Sequence, residues 1–260
     1  MKQFFKDFKK YFGYATYAAG AELRAEVASS YLNWLWWVLE PFCFMVIYSF
    51  MFSIVFNSRM PFFNIYIFLG LTIWNFFKNN LTASVRMVKN NKQIIKKVYL
   101  PKIVLIMVRM MVNEFKMLVS FGIVCAMMIF YQTPLTWRCL WVIPILVLLN
   151  LVTFAAMTIL LHFGVFIEDL SNIVRIGLKM VFYITGIFYS VEDKLPAPYG
   201  HYAMRLNPIA LITDTFRKGL LYNQEPYTHA LLLWAILSLV IAILGIKLIY
   251  KNENNYVKVV

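Results

Sequence analysis

Six long apolar runs, separated by short polar segments, dominate the chain. They cover residues 34–56, 62–88, 103–131, 141–166, 173–189 and 230–250. A helix of about 20 residues crosses the ~30 Å hydrocarbon core of a bilayer. The pattern therefore predicts an all-α polytopic membrane protein with six transmembrane helices in residues 34–260. The second helix would project from the lipid at its inner end.

The first 33 residues have a different pattern, in which aromatic and basic side chains alternate. The residues concerned are Phe4, Phe5, Phe8, Tyr11 and Phe12 among Lys2, Lys6, Lys9 and Lys10. Such a segment is typical of an amphipathic helix that lies on a membrane surface. A frayed basic tail is the alternative.

Two further segments are too polar or too short to cross a bilayer. Residues 89–102 read KNNKQIIKKVYLPK, which predicts a short amphipathic helix that ends at Pro101. Residues 190–227 contain only short apolar pieces, so we expect them to form a long connection between the fifth and sixth spans.

Composition supports the membrane assignment. The chain is 62% hydrophobic and 14% charged, whereas soluble domains are roughly half apolar and a quarter charged. Disordered chains, disulfide-rich secreted domains and large soluble enzymes are excluded on the same grounds. The 46 aromatic residues exceed what two interfacial belts require, so some of them are candidates to line an interior path.

The net charge of +13 indicates orientation and not nucleic-acid binding, because apolar runs divide the basic residues. With a cytoplasmic N-terminus, 18 of the 25 Lys and Arg residues fall on the inner side and 6 on the outer side. The positive-inside rule therefore predicts cytoplasmic termini, an internal 89–102 segment and an external 190–227 segment.

No catalytic, cofactor or metal site is apparent in the chain. Its three histidines are isolated, and Glu168-Asp169 is typical of a solvated turn that caps the next helix. The phosphate-binding pattern G-x-x-x-x-G-K-[ST] is absent. We therefore expect any ATP and Mg²⁺ to be held by a separate ATPase subunit.

Ionisable residues inside spans are costly and are candidates for function. Glu40, followed by Pro41, is either such a residue or a group solvated at the inner interface. Arg109, Asn113 and Lys116 share one face of the third span. This polar stripe either packs against a neighbouring helix or lines a path.

Several segments, in order, resemble the membrane subunit of type-2 ABC exporters, in the branch that exports polysaccharides, O-antigen and teichoic acids. They are SSYLNWLWWVLEPF (29–42), KKVYLPK (96–102), FIEDLSNIVRIGLK (166–179), FYSVEDKLP (188–196) and RLNPIALITDTFRKGLLY (205–222). Asn33, where glycine is commoner, and Ile167-Glu168-Asp169, in place of a basic-acidic pair, depart from the family pattern.

The resemblance implies an N-terminal interface helix in residues 1–33, a cytoplasmic coupling helix at about 90–101 and external re-entrant helices within 190–227. It also implies a homodimer that binds two copies of an ATP-binding cassette subunit. The residues expected to dock that subunit are Lys92, Ile94, Ile95, Lys96, Lys97, Val98 and Tyr99.

The same resemblance suggests aromatic rings over which a sugar polymer slides. The candidates for this path are Trp36, Trp37, Glu40, Tyr48, Phe182, Tyr183, Phe188 and Tyr189. Any one of the rings could instead anchor the interface or pack in the bundle. Lys9, Lys10 and Arg24 are expected to hold the lipid head group.

These observations support one hypothesis, a permease subunit that moves a lipid-linked polysaccharide or teichoic acid polymer across the cytoplasmic membrane of a bacterium. An exporter of a small drug or of haem is the first alternative. A polytopic glycolipid-modifying enzyme is the second, although it would require clustered polar residues at one membrane face. Nucleic acid is not an expected partner.

Overall fold

The computed structural model describes residues 2–28, 33–52, 60–134, 136–194, 196 and 198–259. Within these ranges the protein is helical and has no strand. Three helical segments are long and apolar enough to cross a membrane, namely Lys102–Phe130, Trp137–Phe166 and Thr228–Tyr256, and Trp34–Phe50 is a shorter apolar helix.

Helix α1 (Lys2–Ala28) lies along α6 (Lys102–Phe130). Its small residues Ala15 and Ala19 are buried, because they allow the two helices to approach closely. The ring of Phe4 packs 6.5 Å from that of Phe154, while Phe5 and Phe8 stay exposed. The described part of the predicted amphipathic segment is thus one continuous helix whose exposed side carries both aromatic rings and basic residues.

Helices α2 (Asn33–Phe50) and α3 (Phe63–Val85) follow. Met51 and Phe52 continue α2 as a π turn, and the predicted end of this span at residue 56 lies outside the described residues. Helix α3 begins after Phe62, whose φ of 57° marks a left-handed turn. It ends three residues before its predicted end. Helices α2, α6, α7 (Val142–Phe166) and α8 (Leu170–Ile184) enclose it.

The predicted coupling helix at about 90–101 is wrong in its extent. The chain forms α4 (Met87–Asn90) and α5 (Lys92–Lys97), with a break at Asn91, whose side-chain amide donates back to the carbonyl of Met87 over 2.8 Å. Val98 is already extended. The helix therefore ends before Pro101, which disfavours helical geometry in the residue that precedes it.

Helices α6 (Lys102–Phe130) and α7 (Val142–Phe166) match the third and fourth predicted spans, and a 3₁₀ turn at Trp137–Trp141 leads into α7. The last helix, α12, extends from Thr228 to Val259 and so continues beyond the predicted end at residue 250. Glu253 and Tyr256 are buried, which explains why the polar tail stays helical.

The fifth predicted span, 173–189, is shorter than expected. Helix α8 covers Leu170–Ile184, about 22 Å at 1.5 Å per residue. Gly186, with a φ of +68°, turns the chain away from the helix. Beyond it lie α9 (Val191–Lys194), α10 (Tyr199–Leu206) and α11 (Pro208–Leu220), of which α11 is almost wholly buried.

Close helix packing depends on two glycines of the central bundle. A Cβ on Gly245 of α12 would lie 2.0 Å from Oγ1 of Thr158 on α7, and one on Gly164 would lie 2.0 Å from the carbonyl oxygen of Val85. Small residues at such crossings are typical of membrane helices. They hold α7 between α12 and the C-terminal end of α3.

Candidate functional site

Three of the predicted path residues form one aromatic cluster. The ring of Phe188 lies 3.9 Å from Tyr48 and 5.4 Å from Phe182, measured between ring centroids. Phe52 and Trp74 extend the cluster, at 5.8 Å from Phe188 and 5.3 Å from Phe182. Residues far apart in the sequence are thus brought together where α2, α3 and α8 meet.

Tyr183 and Tyr189 lie at the edge of this cluster. The Tyr183 side chain is exposed, and Tyr189 donates its hydroxyl to the carbonyl of Tyr183 over 2.8 Å. Phe188, in contrast, is only 6% exposed. In the isolated protomer, Tyr183 is accessible and Phe188 is a packing residue.

Trp36, Trp37 and Glu40 form a separate group on α2. They line a small cavity of about 190 Å³ together with Lys116 and Asn113 of α6. The indole of Trp37 packs edge-on against Phe115 and lies 5.0 Å from the Lys116 ammonium. The structure therefore does not join these residues to the cluster around Phe188.

The polar stripe of α6 packs against neighbouring helices. Nζ of Lys116 lies 2.5 Å from a carboxylate oxygen of Glu26 in α1. Arg109 lies 3.7 Å from Glu22. The amide of Asn113 donates over 2.8 Å to Oδ1 of Asn80 in α3. These contacts explain how a helix that carries two cations is accommodated beside α1.

A larger cavity of about 780 Å³ opens beside Arg109. Side chains from α1, α3, α4, α6 and α8 form its walls. The residues that line it are Glu22, Trp74, Lys78, Asn79, Thr82, Ala83, Met87, Asn90, Asn91, Leu105, Val108, Arg109, Arg175, Leu178, Lys179 and Phe182. Sequence reasoning missed this site, because lysines and arginines on three different helices give no local signal.

The predicted docking residues lie in and just after α5. Lys92, Lys96 and Lys97 are exposed. The apolar side chains of Ile94, Val98 and Tyr99 are 45%, 61% and 62% exposed. Ile95, at 6%, is buried and anchors the segment on the bundle. The surface thus alternates apolar groups with lysines.

The chain that follows α5 is fastened to the end of α12. Glu253 accepts hydrogen bonds over 3.2 Å from the Tyr99 hydroxyl and from the backbone N–H of Lys102. Nζ of Lys102 lies 3.8 Å from the same carboxylate, and its side chain is buried. Partial burial and the negative charge of Glu253 raise the pKa of Tyr99.

Arg217 of α11 is a buried guanidinium held entirely by backbone carbonyls. Its nitrogens donate to the carbonyl oxygens of Tyr66, Gly186 and Ile187 over 2.8–3.2 Å. The guanidinium also lies 3.4 Å from the centroid of the Tyr66 ring. A Cβ on Gly70 would come within 2.4 Å of it, so α3 needs glycine there. The contact joins α11 to α3 and to the turn after α8.

A cluster of polar side chains surrounds Glu192. The Tyr227 hydroxyl donates to its carboxylate, and Lys218 and His201 lie 3.5 Å and 3.4 Å away. The hydrogen bond from Tyr227 lowers the pKa of Glu192, and burial only partly opposes this effect. The cluster connects α9, α10 and α11 to the start of α12.

The predicted head-group residues Lys9, Lys10 and Arg24 are all exposed on α1. None of them lines the larger cavity. His162, by contrast, is held in the bundle, where its Nδ1 lies 2.7 Å from the Tyr256 hydroxyl.

Comparison with known proteins decides the family. The sequence profile described as ABC-2 type transporter matches residues 19–221, well over half of the chain. The chain belongs to the ABC-2 type transporter family. This result confirms the resemblance inferred from the sequence segments and the all-α polytopic membrane fold. ABC-2 type transporters are permeases that work with an ATP-binding subunit.

Characterised relatives resemble this ABC-2 type transporter over nearly its full length. Two O-antigen export system permease proteins RfbA from Klebsiella pneumoniae are 26% identical over 241 residues, covering 92% of this chain and 91% of theirs. The O-antigen export system permease protein RfbA of Myxococcus xanthus is 25% identical over 221 residues, covering 85% of each chain.

Proposed function

We propose that this ABC-2 type transporter is the permease subunit of an exporter that moves a lipid-linked polysaccharide, such as O-antigen or a teichoic acid polymer, across the cytoplasmic membrane of a bacterium. Relatives named as O-antigen export system permeases align with 85–92% of the chain. The energy would come from ATP and Mg²⁺ bound to the partner ATPase.

The observation that carries the proposal is the surface formed by α5 and the two residues after it. Ile94, Val98 and Tyr99 expose large apolar groups next to Lys96 and Lys97. Exposed apolar side chains do not stabilise a segment that faces water, whereas a protein partner would bury these side chains. Buried Ile95 and the contacts of Glu253 hold the segment against the bundle. A displacement of the segment would therefore be transmitted to α6 and α12.

The aromatic cluster supports a sugar polymer as the cargo. Sugars present C–H faces that pack on aromatic rings, and Tyr183 offers an accessible ring beside Phe182 and Tyr48. Many weak stacking contacts would let a polymer advance without a single deep trap. Trp36, Trp37 and Glu40 would form a second part of the path after two protomers pair.

The proposed assembly is a homodimer with two ATP-binding subunits, six passes per protomer and both termini in the cytoplasm. The distribution of basic residues supports this orientation. Arg217, one of the six basic residues assigned to the outer side, is enclosed by carbonyls. At most five basic residues would then face the outer solvent, which fits the proposed orientation. Lys9, Lys10 and Arg24 would meet anionic lipid at the inner surface.

ATP-driven transport of a lipid-linked glycan in membrane vesicles, with the cognate ATPase present, tests the proposal. We expect the double variant K96E/K97E to lose ATPase binding and to reduce transport about tenfold or more, since reversed charges at an interface cost several kcal/mol. The matched control is K247E/K251E, which reverses two exposed lysines of α12.

Three results would contradict the proposal. One is undiminished ATPase binding and transport in K96E/K97E. Another is ATP-dependent export of a small drug or of haem without glycan transport, which would favour the first alternative. The third is covalent modification of the glycolipid by the chain without its ATPase, which would favour an enzyme.

A further inference from the structure

The 780 Å³ cavity between α1, α3, α4, α6 and α8 has an unbalanced positive charge. Lys78, Arg109, Arg175 and Lys179 line it, and Glu22 is the one carboxylate that the described residues contribute to its wall. The formal excess is therefore three positive charges. Its volume lies in the range of ligand pockets, about 300–1,000 Å³.

The described part of the protein supplies few counter-charges for these cations. Arg109 lies 3.7 Å from Glu22, but its buried Nε donates no hydrogen bond within the described residues. Arg175 donates to the neutral amide of Asn172 over 2.7 Å. Across the part of the chain that the structure describes, Lys78 and Lys179 form no ion pair.

In the proposed orientation, the cavity lies toward the inner ends of its helices. Lys78, Arg109 and Lys179 are seven to nine residues from those ends of α3, α6 and α8, which is about 10–14 Å along each helix. Cations gathered around one space without matching counter-charges repel one another. An anion bound among them would be stabilised.

The remaining walls narrow the chemistry of that anion. Trp74, Leu178 and Phe182 form an apolar side, and low polarity beside a charge strengthens charge pairing. Asn79 and Asn90 add amides suited to hydroxyl groups. Several cations around one space match a group with many oxygens and two or more negative charges, and a single carboxylate would leave most of them unpaired.

We propose that this cavity binds the phosphate groups of the lipid-linked substrate, a pyrophosphate or phosphodiester between the lipid and the first sugar. The choice of the substrate as the source rests on the proposed function. Met87, Asn90 and Asn91 belong to the cavity wall and directly precede α5. A ligand bound in the cavity would therefore affect the position of the segment that docks the ATPase.

The test uses the complex with its ATP-binding subunit in phosphatidylcholine nanodiscs. Equilibrium binding is measured for a short-chain prenyl pyrophosphate disaccharide and for the same disaccharide on a prenyl group without phosphate. Phosphatidylglycerol and inorganic pyrophosphate serve as competitors. We expect the wild type to prefer the pyrophosphate probe about tenfold or more, equivalent to about 1.4 kcal/mol.

The variant R175Q/K179Q removes two exposed cations of α8 and should abolish this preference. K247Q/K251Q, which neutralises two exposed lysines of α12, should keep it. If the double variant unfolds, K179Q alone should still weaken the pyrophosphate probe several-fold. R175Q/K179Q and K179Q should also lose the stimulation of ATP hydrolysis by the probe, and K247Q/K251Q should keep it.

A preference that persists in a stably folded R175Q/K179Q overturns the proposed site. Competition by phosphatidylglycerol or inorganic pyrophosphate as strong as that of the probe overturns the assignment to the substrate. The two proposals fail separately. Glycan export that survives R175Q/K179Q refutes only the cavity, whereas tight probe binding without any glycan export refutes the proposed function.

Discussion

The contact between Arg217 and three backbone carbonyls should be the main contact that holds α11 against α3 and the turn after α8. The substitution R217M keeps an unbranched apolar stem and removes every donor. The carbonyls of Gly186 and Ile187 then lose the donors that satisfy them. The carbonyl of Tyr66 lies within α3, where helical hydrogen bonding continues.

Each buried carbonyl left without a donor costs about 1–3 kcal/mol, so R217M should destabilise the protein by roughly 2–6 kcal/mol. For a chain of this size, 1 kcal/mol corresponds to about 2–4 °C in Tm. We expect a fall of roughly 10 °C in detergent, together with faster hydrogen exchange in residues 208–220. R217K should recover little, because one ammonium cannot reach all three carbonyls.

The matched control is R205M, which alters an exposed arginine on α10. Its Tm should stay within about 2 °C of the wild type, since surface substitutions usually cost less than 0.5 kcal/mol. If R217M and R205M melted at the same temperature, the reasoning about the carbonyl contact would be refuted.

Three further predictions concern other contacts. G245A should destabilise the protein by about 1–3 kcal/mol because its Cβ meets Thr158, whereas G122A, with open space around its Cβ, should not; thermal unfolding would show this, and equal stability would contradict the close packing of α7 and α12. E253Q leaves buried Lys102 without its counter-charge and should cost about 3 kcal/mol and weaken the coupling of ATP hydrolysis to transport. E225Q, at the exposed pair with Arg138, should change stability by less than about 1 kcal/mol and is the control for E253Q. The pKa of Glu192 is lowered on folding. Its contribution to stability is therefore present above its unfolded pKa of about 4.3 and is lost as pH falls through the folded pKa. The Tm of the wild type should then drop more steeply between about pH 5 and 3 than that of E192Q, and parallel curves would argue against this contribution.

The sequence predicted the elements that depend on local pattern. Apolar length placed α6, α7 and α12, and the alternation of rings and lysines indicated α1. It misjudged ends set by single residues or distant contacts. Gly186 ended α8 early, and Asn91 divided the coupling segment.

The candidate site was only partly predictable for the same reason. The docking segment was predicted from its local sequence alone, and Ile94, Val98 and Tyr99 of this segment are exposed. The cations of the cavity lie on three helices far apart in the chain, and only Arg109 had been singled out as part of a polar stripe. Its pairing with Glu22 depends on how α1 lies against α6, which no local pattern encodes.

The contacts of Arg217 and Glu253 impose an order on folding. Arg217 reaches back 151 residues to Tyr66, and Glu253 reaches back 151 residues to Lys102. Both contacts are made by helices that follow α3 and α6 in the chain. During synthesis, α3 and α6 must therefore remain in the bilayer without these partners until α11 and α12 have left the ribosome. The contacts that hold the first turns of α3 and α6 in place thus form late.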